Sequence, residues 1–177
     1  MRLSLPTWSL VGVSLSLLAC GSEAAPSPKC MELAMYSPTT LTPYSFMTDI
    51  YPLFSDTNIT NGCGMTLICH GAPAMPIDIA GTKTLSFVDP AATVKAALLM
   101  NSIHASGMAR VAPGSVKDSF LAYKLSAKDG LACVNSMCNG AAGIGSVPCG
   151  DPMPSQGTIT DTDRTKILDW IAQGAAD

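Results

Sequence analysis

Apolar positions fall into a few short groups along this chain. Residues 10–19 are apolar or small, and Arg2 is the only charge before Glu23. That run is too short to span a bilayer and sits where a signal peptide carries its hydrophobic region. Residues 21–29 (GSEAAPSPK) have no periodicity and read as a tether. Phe46, Ile50, Leu53 and Phe54 recur at near-helical spacing, with Pro52 predicting a kink or two short pieces. Asn61-Gly62 followed by Gly64 marks a turn, and residues 71–88 read as a Pro/Gly-rich loop with a brief extended stretch. Asp89-Pro90 predicts a helix start, continued by Val94, Leu98 and Asn101 or Ile103. Ser115-x-x-Asp118 predicts a second start, with Phe120, Leu121 and Leu125 on the buried face. Residues 127–157 read as one long loop of Gly, Cys, Asn and Pro, a length that is usually functional or cross-linked. Thr160-x-x-Asp163 opens the last helix, which buries Ile167, Leu168, Trp170 and Ile171. The expected architecture is three or four short helices joined by long loops.

Composition narrows the function classes. The 177 residues are 47% hydrophobic and 13% charged, with a formal net charge of −3. A nucleic-acid binder held by phosphate attraction needs clustered Lys and Arg, so that class is excluded. The apolar fraction is also too high for a charge-rich disordered chain. The length suits one domain with a real core. Aromatics are only 6%, against Gly 15, Pro 13 and Met 10. This predicts a core filled partly by something other than Phe and Tyr. No Ser-His-Asp order or paired His site supports hydrolysis, and no enzymatic activity is expected.

The N-terminal run ends in Leu17-Leu18-Ala19-Cys20-Gly21. This resembles the lipobox of bacterial lipoproteins, in which cleavage falls before the cysteine and the thiol is acylated. The resemblance implies a signal peptide over 1–19, a lipid on Cys20, a tether over 20–43 and a domain over 44–177. Several acyl chains, at about 0.8 kcal/mol per buried CH₂, hold such a protein on a membrane surface. Gly21, rather than Asp, follows the lipid cysteine and favours the outer membrane, at its periplasmic face or the cell surface. Disulfides persist there.

Seven cysteines stand at 20, 30, 63, 69, 133, 138 and 149. With Cys20 lipidated, six remain. One reading pairs all six in three disulfides that staple a loop-rich fold. The other gives Cys63 and Cys69 to a cofactor and leaves Cys30, Cys133, Cys138 and Cys149 to form two disulfides, in one of three connectivities.

Cys69 is followed by His70, and Cys63 precedes it at C-x₅-C-H spacing. A c-type haem site needs two thiols that reach the vinyl groups and an imidazole beside the second thiol to ligate iron. C-x-x-C-H does this in one compact turn, and here three residues are extra. Three arrangements follow. The extra residues bulge and Cys63 still reaches its vinyl, or Cys69 is the sole thioether link, or the two cysteines form a disulfide without haem.

From about Tyr51 to Ala175 the order of motifs is similar to small cytochrome-c-like domains of bacterial lipoproteins, including myxobacterial and planctomycete-type ones. The matching pieces are Ile50-Tyr51-Pro52-Leu53-Phe54, Cys69-His70-Gly71 and Arg110-Val111-Ala112-Pro113-Gly114 leading into Ser119-Phe120-Leu121-Ala122-Tyr123-Lys124-Leu125. Met153-Pro154 and Ile167-Leu168-Asp169-Trp170-Ile171-Ala172-Gln173-Gly174-Ala175 complete them. The resemblance implies a mostly α, cytochrome-c-like fold of short helices and long loops around a haem pocket. It implies one haem c, with His70 as proximal and Met153 as sixth iron ligand, and one-electron transfer to or from a redox protein partner.

Arg110 matches the geometry of a haem propionate, and also suits an ordinary helix end. His104, the only other histidine, is the second choice of distal ligand after Met153. Two further readings stand beside the electron carrier. One is a haem-free, disulfide-stabilised lipoprotein domain with a structural or interaction role. The other is a sensor with an open sixth position.

Overall fold

The computed structural model describes residues 26–55, 85–138, 149–154 and 159–177. These are mostly helical, with isolated bridges and no strand among the described residues. The helices are α1 (Pro28–Ala34), α2 (Tyr51–Ser55), α3 (Ala91–Leu98), α4 (Phe120–Lys124), α5 (Ala127–Ala132) and α6 (Asp161–Ala172). A π-helical turn (Phe46–Ile50) runs directly into α2, and a 3₁₀ turn (Asn135–Met137) follows α5. None of the described helices is long and apolar enough to cross a membrane. The lipobox residues, including Cys20, lie outside the described residues.

α6 organises the body. Thr160 Oγ1 accepts from Asp163 N at 3.0 Å and donates to Asp163 Oδ2 at 2.8 Å, as the capping pattern predicts. The other end closes on Gly174, whose φ of 103° suits a residue without Cβ. Gly174 N donates to Ile171 O and Ala175 N to Trp170 O, the paired bonds of a Schellman stop. The W-I-x-x-G-A ending is thus a helix terminator, and Ala175 is buried behind it. Ile167, Leu168, Trp170 and Ile171 are fully buried. The Trp170 ring lies 5.3 Å from Phe46, and its Nε1 donates to Ala176 O at 2.9 Å. The expected buried face is correct. The centre of the core is filled by the chain's own Trp170, Phe46, Phe54 and Phe87, with Leu33, Ile50, Val94 and Leu98 around them.

Several boundaries differ from expectation. Pro90 is the N-cap of α3, with no side-chain cap bond, and Asp89 instead accepts from Tyr51 Oη through its carbonyl. α3 stops at Leu98, and the chain turns back through the Asn101↔Ala109 bridge. Ser115 Oγ does bond Asp118 Oδ2 at 2.5 Å, but α4 starts later, after Ser119. Ser119 Oγ is drawn into the preceding turn, donating to Ser115 O and accepting from Ala112 N. Residues 127–138, expected as loop, carry α5 and the 3₁₀ turn. Pro28 and Lys29, expected in the tether, open α1 behind Ser27, whose Oγ accepts from Cys30 N. Residues 36–44 pack against α6 through Asp169 and Gln173.

Two disulfides staple these parts. Cys30 is bonded to Cys133, joining α1 to the end of α5 across 103 positions. Cys138 is bonded to Cys149 across 11 positions.

Candidate functional site

The candidate ligands divide between described and undescribed parts of the chain. Cys63, Cys69 and His70 lie outside the described residues. The two stretches that flank them are described, and they meet. Phe54 stacks on Phe87 with ring centroids 4.6 Å apart and planes 8° from parallel. Tyr51 Oη donates to Asp89 O at 2.8 Å. The described residues on either side of Cys63, Cys69 and His70 are thus in contact with each other.

Met153 sits in residues 149–154, which run past the C-terminal end of α4. It is half-buried and packs on the core. Its backbone N donates to Lys124 O at 2.8 Å. Lys124 Nζ donates to Cys149 O at 3.1 Å and to Asp151 O. The same ammonium lies 5.8 Å from the centre of the Phe120 ring. Burial pulls the Lys124 pKa down to about 8, opposed by the charge of Asp151. Cys149 is buried, and its disulfide to Cys138 fixes where this segment begins.

Arg110 stands between α3 and α4. Its backbone N donates to Met100 O and its carbonyl accepts from Leu121 N, both at 2.9 Å. Its Nη1 donates to Ala97 O at 2.8 Å. A cation bonded to a last-turn carbonyl also suits the negative end of the helix dipole. One of the five N–H groups of the guanidinium is used in this way.

His104 lies in the turn between the bridged residues Asn101 and Ala109. Ser102 Oγ accepts from His104 N and Ala105 N, both at 3.1 Å. The imidazole is half-buried, and its Nδ1 is buried with no hydrogen-bond partner among the described residues. Burial lowers its pKa, and the nearby charges of Lys124 and Arg110 push it the same way. All three effects favour the neutral imidazole. Of the two expected distal-ligand candidates, Met153 is bonded to Lys124 through its backbone, whereas His104 only feels the Lys124 charge.

The four described cysteines pair only with each other. None of them is a partner of Cys20, Cys63 or Cys69. Among the described residues, no group of three or more His, Cys, Asp or Glu is arranged to hold a metal ion. A surface groove of roughly 450 Å³, walled by Ser27, Pro28, Lys29, Glu32, Asp129 and Ala132, contains none of the candidate ligands.

Sequence reasoning missed Asp169 and Lys124 as organising residues. Asp169 is fully buried and accepts from Tyr36 Oη, Thr39 N and Thr39 Oγ1. Its position between Leu168 and Trp170, inside a buried stripe, was the available signal. Compared with known proteins, the chain matches no family model, no curated sequence and no solved structure.

Proposed function

We propose that this chain is a membrane-anchored c-type-like cytochrome that carries one electron at a time. It acts in the periplasm or at the cell surface and resembles the small cytochrome-c-like domains of bacterial lipoproteins. The observation that supports this reading best is the division of the cysteines. Cys30, Cys133, Cys138 and Cys149 are satisfied among themselves. This leaves Cys63 and Cys69 for a cofactor beside His70, and Cys20 for lipid.

The donor set fits one haem. Cys63 and Cys69 would hold the haem through their thiols, and His70 and Met153 would ligate its iron. Bound haem would supply reversible one-electron chemistry. The chain's own part is to tether, ligate and exclude water. Met153 belongs to a half-buried segment tied to α4, and a His/Met pair raises the potential relative to bis-His. Among the described residues the Arg110 guanidinium bonds only Ala97 O, and its planar fork matches a propionate.

A second reading has its own support. The described core closes on itself through the Phe46–Trp170 and Phe54–Phe87 pairs. This suits a haem-free, stapled lipoprotein domain in which Cys63 and Cys69 bond each other.

The deciding experiment is the absorption spectrum of protein exported from a host with c-type haem maturation. It is recorded before and after dithionite and followed by acid–acetone extraction. A Soret band with sharp reduced α and β bands that survive extraction is the expected result. A spectrum that extracts away means haem without thioethers. No Soret band, under conditions that load a control cytochrome, overturns the electron-carrier reading in favour of the stapled domain.

A further inference from the structure

Residues 149–154 are hydrogen-bonded to α4 at alternate positions, and Lys124 makes each of these bonds among the described residues. Its ammonium reaches the carbonyls of Cys149 and Asp151, and its own carbonyl receives the N–H of Met153. Among the described residues Lys124 forms no ion pair at salt-bridge distance, so its side-chain bonds go to main-chain oxygens. An ammonium used in this way holds a segment in place rather than balancing a carboxylate. Pro152 and Pro154 flank Met153. Each proline fixes its own φ and restricts the residue before it. Once Asp151 and Met153 are tied, little freedom remains in the backbone between them. The Cys138–Cys149 bond sets the other end.

We propose that Lys124 is the positioning residue for Met153. Its side chain and carbonyl together hold residues 149–154 on α4 and fix where the Met153 thioether is presented. The ligand role of Met153 rests on the function proposed above; the hold of Lys124 on the segment does not.

The test uses the full mature chain with Lys124→Met, Lys124→Gln and Lys124→Arg. Met153 carries the only backbone N–H between Asp151 and Ser155, because Pro152 and Pro154 have none. Its exchange with deuterium, followed by NMR in the haem-free protein, reports the hold directly. Lys124→Met is expected to speed that exchange about tenfold or more, since two charge-assisted bonds are lost. Amides in the middle of α6 should not change. Lys124→Arg should stay within about threefold of wild type, because it keeps charged donors. Lys124→Gln keeps one neutral amide donor group and should fall between, and it carries the test if Lys124→Met does not accumulate.

In haem-loaded protein, the ferric Met–iron charge-transfer absorption should be lost in Lys124→Met and kept in Lys124→Arg. Met153 exchange within twofold of wild type in Lys124→Met overturns the proposal. So does equal acceleration of Met153 and α6 amides, which reports global unfolding. A wild type that never takes up haem but shows the expected exchange pattern overturns the proposed function alone.

Discussion

Tyr36 and Asp169 are 133 positions apart in sequence, and the Tyr36 hydroxyl donates to Asp169 Oδ1 at 2.7 Å. Thr39 adds its backbone N–H at 2.8 Å and its hydroxyl at 2.5 Å, so one buried carboxylate receives three donors from the N-terminal segment. Gln173, one turn further along α6, holds Thr40, Thr42 and Tyr44 of the same segment. Replacing Asp169 with the similarly sized Leu leaves those donors facing an apolar group. Asp169→Leu is expected to lower unfolding free energy by about 2–4 kcal/mol in urea titration. Asp177→Leu, at an exposed end, should stay within about 0.5 kcal/mol of wild type.

The same contact gives a pH signature. Burial, and then the Asp169 charge, push the Tyr36 phenol well above the ordinary tyrosine range. Above pH 10 the unfolded chain has released a proton that the folded chain still holds. The contribution is therefore complete below pH 10 and is lost as pH rises toward the folded value. Phenolate absorbance in Tyr36→Phe should lack the last step seen in wild type. The stability of that variant should also fall less steeply above pH 10. Identical titration curves would show that Tyr36 is not held as described.

Peptide mapping without reduction should recover Cys30 linked to Cys133 and Cys138 linked to Cys149. Any peptide joining Cys63 or Cys69 to one of these four contradicts the division of cysteines. The Cys30→Ser/Cys133→Ser double variant should lose about 5 kcal/mol of stability, because that bond closes the longer loop. The Cys138→Ser/Cys149→Ser pair should lose about 3 kcal/mol.

Gly130 gives a test in which the sign is informative. Gly to Ala in a helix ordinarily stabilises by up to about 1 kcal/mol. In α5 a Cβ at this position would stand 2.5 Å from Ser126 Cβ and 2.7 Å from Tyr123 O. α5 follows α4 after a short link and opens on Ala127, whose φ is 57°. Gly130→Ala should instead destabilise by about 1–3 kcal/mol, read as a lower urea midpoint at unchanged slope.

The parts of the fold legible in sequence are those stabilised locally. α6 announces itself by a capping pair, a 3.6-residue apolar stripe and a glycine stop, and each is visible within a dozen residues. α1 has an N-cap in Ser27 but neither a buried apolar stripe nor a glycine stop. Its seven residues depend on the Cys133 bond and on the burial of Leu33, and both partners lie far away in sequence. Cysteine parity anticipated two disulfides among Cys30, Cys133, Cys138 and Cys149 as one of its readings. The choice among three pairings needed spatial proximity. Asp169 is one of three acids in α6, and only its place inside the apolar stripe marked it as buried. Lys124 carried no signal, because its partners are carbonyl oxygens that every residue possesses.

The Cys30–Cys133 bond also determines how the chain bears tension. A pull between the two ends of the polypeptide leaves the main chain at Cys30, crosses the sulfurs and re-enters at Cys133. It crosses again from Cys138 to Cys149. Everything between the bonded cysteines hangs off the covalent line of force. The stretch carrying Cys63, Cys69 and His70 is in that slack portion. A molecule held by its N-terminal end can thus be tugged without stretching the backbone that holds its candidate iron ligand His70.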